Sequence, residues 1–152
     1  MLDSNSKITV ATDGATAPKS VGHMSIGVAA FDKSAKLIFQ HYENLHWGTN
    51  NQAEYLALLK GLKFATENGY KNVTCYVDSE LIINQLNKRW KTKNPELKNL
   101  QGHILSLIAS LKGYGGNITL IHHGRKTNLA KVADKISKGG SFNEGDYLWQ
   151  LA

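Results

Sequence analysis

The sequence is poor in residues that cross-link a chain or break it. It holds one cysteine, Cys75, and two prolines in 152 residues. A lone thiol excludes a disulfide framework within the chain and a zinc site built from thiolates. Scarce proline with 41% hydrophobic residues excludes an extended disordered chain. No apolar run reaches the ~20 residues of a membrane span, and the opening "MLDSNSKITV" carries no apolar leader. The expectation is one soluble domain over residues 1–152, in a reducing, cytoplasmic setting, with no membrane partner and no protein partner legible. Acids are also few. Twelve Asp and Glu stand against 18 Lys and Arg, a formal charge of +6. That balance suits a polyanionic partner, although charge alone does not establish one.

What is present is periodic. "KITVATD" alternates and is rich in β-formers, so it predicts a strand, followed by the turn-rich loop "GATAPKSVG". "HMSIGVAAFD" and "KLIFQHYENLHW" predict two further strands in an antiparallel meander. A helix follows in "NNQAEYLALLKGLKFA", stopped near Gly69. "NVTCYVD" predicts a fourth strand and "SELIINQLNKRW" a helix capped by Ser79. A longer helix begins near Pro95 and ends at "GYGG". "NITLIHH" predicts a fifth strand and "LAKVADKISKGG" a last helix. The tail "SFNEGDYLWQLA" has no clear period. Helical crossovers between the later strands imply parallel pairing. The fold class is therefore α/β, a mixed five-stranded sheet with helices on both faces.

Four carboxylates occupy matching places. Asp13 falls within or at the end of the first strand, and Asp78 at the carboxyl end of the fourth, where sites form in open α/β sheets. Glu54 heads the stripe Glu54, Ala57, Leu58, Gly61, Leu62, Ala65 on one helix face. Asp134 lies in the last helix. Each has an ordinary alternative. Asp13 before Gly14 suits a turn, Asp78 suits a cap, Asp134 suits a solvated face beside Lys131 and Lys138, and Glu54 suits the positive end of a helix dipole. Together they are expected to converge. Four clustered carboxylates cannot all stay ionised unaided, and a hard divalent cation, Mg²⁺ or Mn²⁺, relieves them. Two such ions about 3.5–4 Å apart activate a water and stabilise a leaving oxygen of a phosphodiester.

These residues resemble the ribonuclease H type 1 (ribonuclease HI) family. "TDGAT", "TNNQAEYLALLKGL", "VDSELIINQL" and "ADKIS" are similar to its motifs, in order, over about residues 6–138. The resemblance implies the ribonuclease H-like fold with sheet order 3-2-1-4-5. It also implies an endonuclease that hydrolyses the RNA strand of RNA/DNA hybrids with two Mg²⁺ ions, leaving 5′-phosphate and 3′-hydroxyl ends. It carries the metal-ligand role onto Asp13, Glu54, Asp78 and Asp134. It brings Gly14, Thr49, Asn50, Asn51, Gln52 and Ser79 to the hybrid, with Thr49 on a DNA phosphate. It implies a histidine before the last aspartate that assists proton transfer or product release. His123 is the first choice because it adjoins the loop, with His122 next. Where some members carry a long basic extension, only "NKRWKTKNPELK" stands here, with Lys88, Arg89, Lys91 and Lys93 around Trp90 as a smaller hybrid-binding patch. The role of residues 139–152 is not legible. The rival readings are a DNA-cutting metal nuclease of the same fold, a non-catalytic nucleic-acid-binding module, and a basic domain with a structural cation.

Overall fold

Residues 6–87, 91–124 and 127–151 are described in the computed structural model. The chain forms β1 (Lys7–Ala17), β2 (Val21–Asp32), β3 (Leu37–Thr49), α1 (Asn50–Glu67), β4 (Asn72–Val77), α2 (Glu80–Leu86), α3 (Pro95–Gly113), β5 (Asn117–His122), α4 (Asn128–Ser137) and α5 (Leu148–Leu151). The sheet order is β3-β2-β1-β4-β5. The first three strands pair antiparallel, and β4 joins β1, and β5 joins β4, in parallel. This is the ribonuclease H-like architecture expected from the sequence.

Alternation in the strands sends alternate side chains to opposite faces. On one face Ile8, Val10, Val28 and Ala30 meet Leu58, Leu62 and Ala65 of α1, together with residues of α2 and α3. On the other, Ala29, Phe31 and Leu37 meet Val132 and Ile136 of α4. The sheet is thus held between two apolar layers, and β1 in its middle is covered from both sides.

Several boundaries move. The segment expected to be a loop after Asp13 continues β1 to Ala17, because Ala15, Thr16 and Ala17 pair with Ser25, Met24 and His23 of β2. The helix expected to run through "NKRW" ends at Leu86 with Asn87 as its cap. Trp90, with Lys88 and Arg89, lies outside the described residues. The unplaced tail docks. Gly145 and Leu148 donate backbone hydrogen bonds to Leu37 and Ala35, and Leu37 donates to Asp146. Phe142, Leu148 and Leu151 then close the α4-side apolar layer.

Candidate active site

Strand register brings the first two acids together. β1 and β4 run parallel with Thr12 opposite Val77, so the next residues, Asp13 and Asp78, leave the paired region side by side at the carboxyl end of β4. Two glycines admit the helices that complete the site. A Cβ on Gly14 would lie 2.3 Å from the Ala53 carbonyl carbon and 2.4 Å from the Glu54 nitrogen. Its absence allows α1 to press against β1 and bring Glu54 beside Asp13. Gly27 pairs with Asp13 across β2, and a Cβ there would lie 2.4 Å from the Ser137 nitrogen. α4 therefore approaches on the opposite side, where the Ser137 hydroxyl donates to Asp13 Oδ2 at 3.2 Å.

The result is a cleft of about 430 Å³ whose walls include Asp13, Gly14, Asn50, Glu54, Asp78, His123, Lys131 and Asp134. Carboxylate oxygens of Asp13, Glu54 and Asp78, all half-buried, lie within 4.8 Å of one another. Asp134 shares the cleft but stands at its exposed rim, paired with Lys138 Nζ at 3.0 Å. Burial and the nearby charges of Asp134, Asp78 and Glu54 push the Asp13 carboxyl up to about 7, against a smaller opposing pull from the Ser137 hydroxyl. An acid that protonates near neutrality beside two further carboxylates is a site short of positive charge. Oxygen donors at this spacing fit a hard divalent cation held by Asp13, Glu54 and Asp78.

Glu54 does not sit at the positive end of its helix. α1 begins at Asn50, four residues earlier, and its first turn holds no acid. The dipole explanation for Glu54 therefore fails, and the cleft accounts for its position. Thr49 and Gln52 form a capping box: Thr49 Oγ1 accepts from Gln52 N at 3.1 Å, and Gln52 Oε1 accepts from Thr49 N at 2.8 Å. Ser79 caps α2, accepting from Ile82 N at 3.3 Å. Asn50 lines the cleft and donates its backbone N–H to Ser20 O, while its side chain accepts from Thr16 Oγ1 at 2.6 Å. Asn51 is half-buried in the same first turn.

His123 is buried in the cleft wall, whereas His122 is exposed at the end of β5. Burial lowers the His123 pKa, with Asp78 pulling it up and His122 pushing it down. The Thr127 hydroxyl donates to Gly124 O at 3.1 Å and lies 3.5 Å from His123 Nδ1. Ser137 and the cleft-lining Lys131 and Lys138 were not legible as site residues. Their only sequence signal was helical spacing from Asp134.

The parallel and antiparallel halves of the sheet, joined at an acid-lined β1, define a ribonuclease H-like domain. The profile described as reverse transcriptase-like matches residues 11–140, and the chain belongs to that family. A ribonuclease HI of Halobacterium salinarum is 26% identical over 107 residues, covering 70% of this chain and 52% of its own length. A bifunctional protein of Mycobacterium tuberculosis is 32% identical over 86 residues, covering 57% of this chain and 23% of its own. The chain thus spans about half the length of one relative and a quarter of the other. Among solved structures, LC11-RNase H1 in complex with an RNA/DNA hybrid, a protein isolated from compost, superposes with a TM-score of 0.75 at 28% identity, over 86% of this chain and 94% of its own.

Proposed function

We propose that the protein is a ribonuclease H, an endonuclease that hydrolyses the RNA strand of RNA/DNA hybrids and leaves 5′-phosphate and 3′-hydroxyl ends. The observation that carries this reading is the meeting of Asp13, Glu54 and Asp78 oxygens within 4.8 Å at one strand edge. The family membership, the ribonuclease HI relative and the hybrid-bound structural relative support it. Asp13, Glu54 and Asp78, with Asp134 at the rim, would hold two Mg²⁺ ions, for which Mn²⁺ could substitute. Bound there, such ions supply an activated water and charge stabilisation of the leaving oxygen.

The chain's own residues do the rest. The Asn50 side of the cleft and the "TNNQ" turn offer amide and hydroxyl groups to the minor groove, where 2′-hydroxyls distinguish RNA from DNA. Gly14 lines the cleft and lets α1 carry Glu54 up to the substrate. His123, neutral because it is buried, presents its imidazole as a proton acceptor. Water oxygen bonds to phosphorus and gives a proton to that imidazole, the bond from phosphorus to the 3′-oxygen breaks, and that oxygen takes a proton from solvent and leaves as a hydroxyl. Lys131 and Lys138 at the rim add positive charge facing the phosphate backbone.

The test is a gel with the RNA strand of a hybrid labelled, beside single-stranded RNA, duplex RNA and duplex DNA, with Mg²⁺ and with EDTA. Cutting of hybrid alone, lost in EDTA and in Asp13→Asn, is expected. Cutting of duplex DNA would make the protein a DNA nuclease of the same fold. Hybrid binding without any cutting would make it a binding module.

A further inference from the structure

Tyr55 follows Glu54 in α1, about 100° further round the helix. It is fully buried and makes part of the main apolar layer, yet it carries a hydroxyl. That hydroxyl donates to Gln85 Oε1 of α2 at 2.7 Å and accepts from Gln101 Nε2 of α3 at 2.8 Å. The same Gln101 amide donates its second hydrogen to Thr92 Oγ1. The valences balance: the phenol uses one donor and one acceptor position, and the amide uses both its hydrogens. Thr92 is half-buried, and its neighbours Lys91 and Lys93 are both exposed. Helices α1, α2 and α3 are thus tied at one buried oxygen, and the basic segment before α3 is tied to it through the Gln101 amide.

Leucine or phenylalanine would fill this apolar layer without the cost of burying a hydroxyl. A phenol there makes physical sense as a connector, since a satisfied buried network fixes one arrangement of the groups it joins. We propose that Tyr55 is a positioning residue for substrate binding: through Gln101 and Thr92 it sets Lys91 and Lys93 as a pair of cations that grips the phosphodiester backbone of the hybrid. This inference rests on the hybrid-cleaving reading proposed above and names a part of its binding surface.

The experiment compares the full chain with Tyr55→Phe, Thr92→Val and the double variant Lys91→Ala/Lys93→Ala. Hybrid cleavage kinetics, and hybrid affinity at several salt concentrations, are measured for each. Lys91→Ala/Lys93→Ala is expected to raise KM and to flatten the slope of log affinity against log salt by ~1–2, as for the loss of one or two phosphate contacts. Tyr55→Phe and Thr92→Val are each expected to raise KM about 5-fold, with kcat within about twofold, and to lose part of the same salt slope. Added to the lysine changes, Tyr55→Phe should have little further effect, because residues acting through one another are not additive. Thr92→Val tests the same link at the half-buried end, where folding is least at risk. A salt slope and KM equal to wild type in both Tyr55→Phe and Thr92→Val would overturn the inference. So would a fall in kcat at unchanged KM, which would make Tyr55 a support for Glu54 or for the core alone. Failure of the wild type to bind or cut hybrid would overturn the proposed function first, and this inference with it.

Discussion

Asp13 concentrates the electrostatics of the site. Its pKa is raised to about 7, from an ordinary value near 4, chiefly by burial and then by the acids around it. A carboxyl whose folded pKa lies above its unfolded one favours the folded state at low pH, and that contribution is lost as pH rises from about 4 through about 7. Asp13→Asn removes the group that must ionise. In EDTA the variant should therefore be more stable than wild type by ~1–3 kcal/mol at pH 8, with the difference vanishing below about pH 4. Mg²⁺ should raise the Tm of the wild type and not that of the variant. Thermal melts across pH, with and without the ion, check both points. At the other side of the cleft, His123→Ala should lower kcat by about 10–100-fold with little change in KM, read from hybrid cleavage at pH 8. The four acids drew notice in the sequence for different reasons: Asp78 followed the fourth strand, Glu54 headed an apolar helix stripe, and Asp13 and Asp134 stood out by their fit to family motifs, since Asp13 lies inside β1 and Asp134 is exposed at the rim. Ser137 did not, since a serine in the last turn of an amphipathic helix carries no signal until Gly27 is known to let that turn reach Asp13.

Elements meet at glycines. A methyl group on Gly14 would overlap the backbone of α1, which no side-chain rotamer can relieve. Gly14→Ala is expected to cost about 3 kcal/mol or more, or to push α1 outward and abolish cleavage in whatever fraction stays folded. Circular dichroism melts and the labelled-hybrid gel separate the two. The same scale explains what the sequence pattern conveyed well and poorly. Apolar periods identified the five strands and the four longer helices, because burial imposes those periods directly. The reach of β1 to Ala17 was hidden, since "GATA" looks like a turn and becomes strand only by pairing with β2. The stripe on α1 omitted Tyr55, which is buried by α2 and α3 packing on a second side of the helix, outside a single-face pattern. The tail was unreadable for a related reason. Its one regular element is the four-residue α5, too short to show a period, and its order comes from hydrogen bonds to Ala35 and Leu37 and from Gln40, whose side chain pairs with both backbone groups of Phe142.

For the molecule as a whole, that tail is part of the support for the site. Phe142 and Leu148 pack on the layer beneath α4, and Lys135 of α4 lies over the Phe142 ring at 5.1 Å. Phe142→Ala should destabilise the protein by ~1–3 kcal/mol. Because α4 carries Asp134 and Ser137, activity in the variant should fall off at a lower temperature than in the wild type. Denaturant unfolding and a temperature series of the gel assay check the pair.

The cleft draws on residues from Asp13 near one end of the sequence to Asp134 near the other, with β1 enclosed by strands and helices that come later in the chain. Synthesis runs in that same order. A polypeptide still emerging from a ribosome holds its first acid long before it holds α4, and until α4 docks the cleft lacks a wall, its last acid and the serine that steadies the first. On the proposed function, hybrid cleavage is therefore the last property the folding domain acquires: it waits on the docking of α4, whatever order the other elements take.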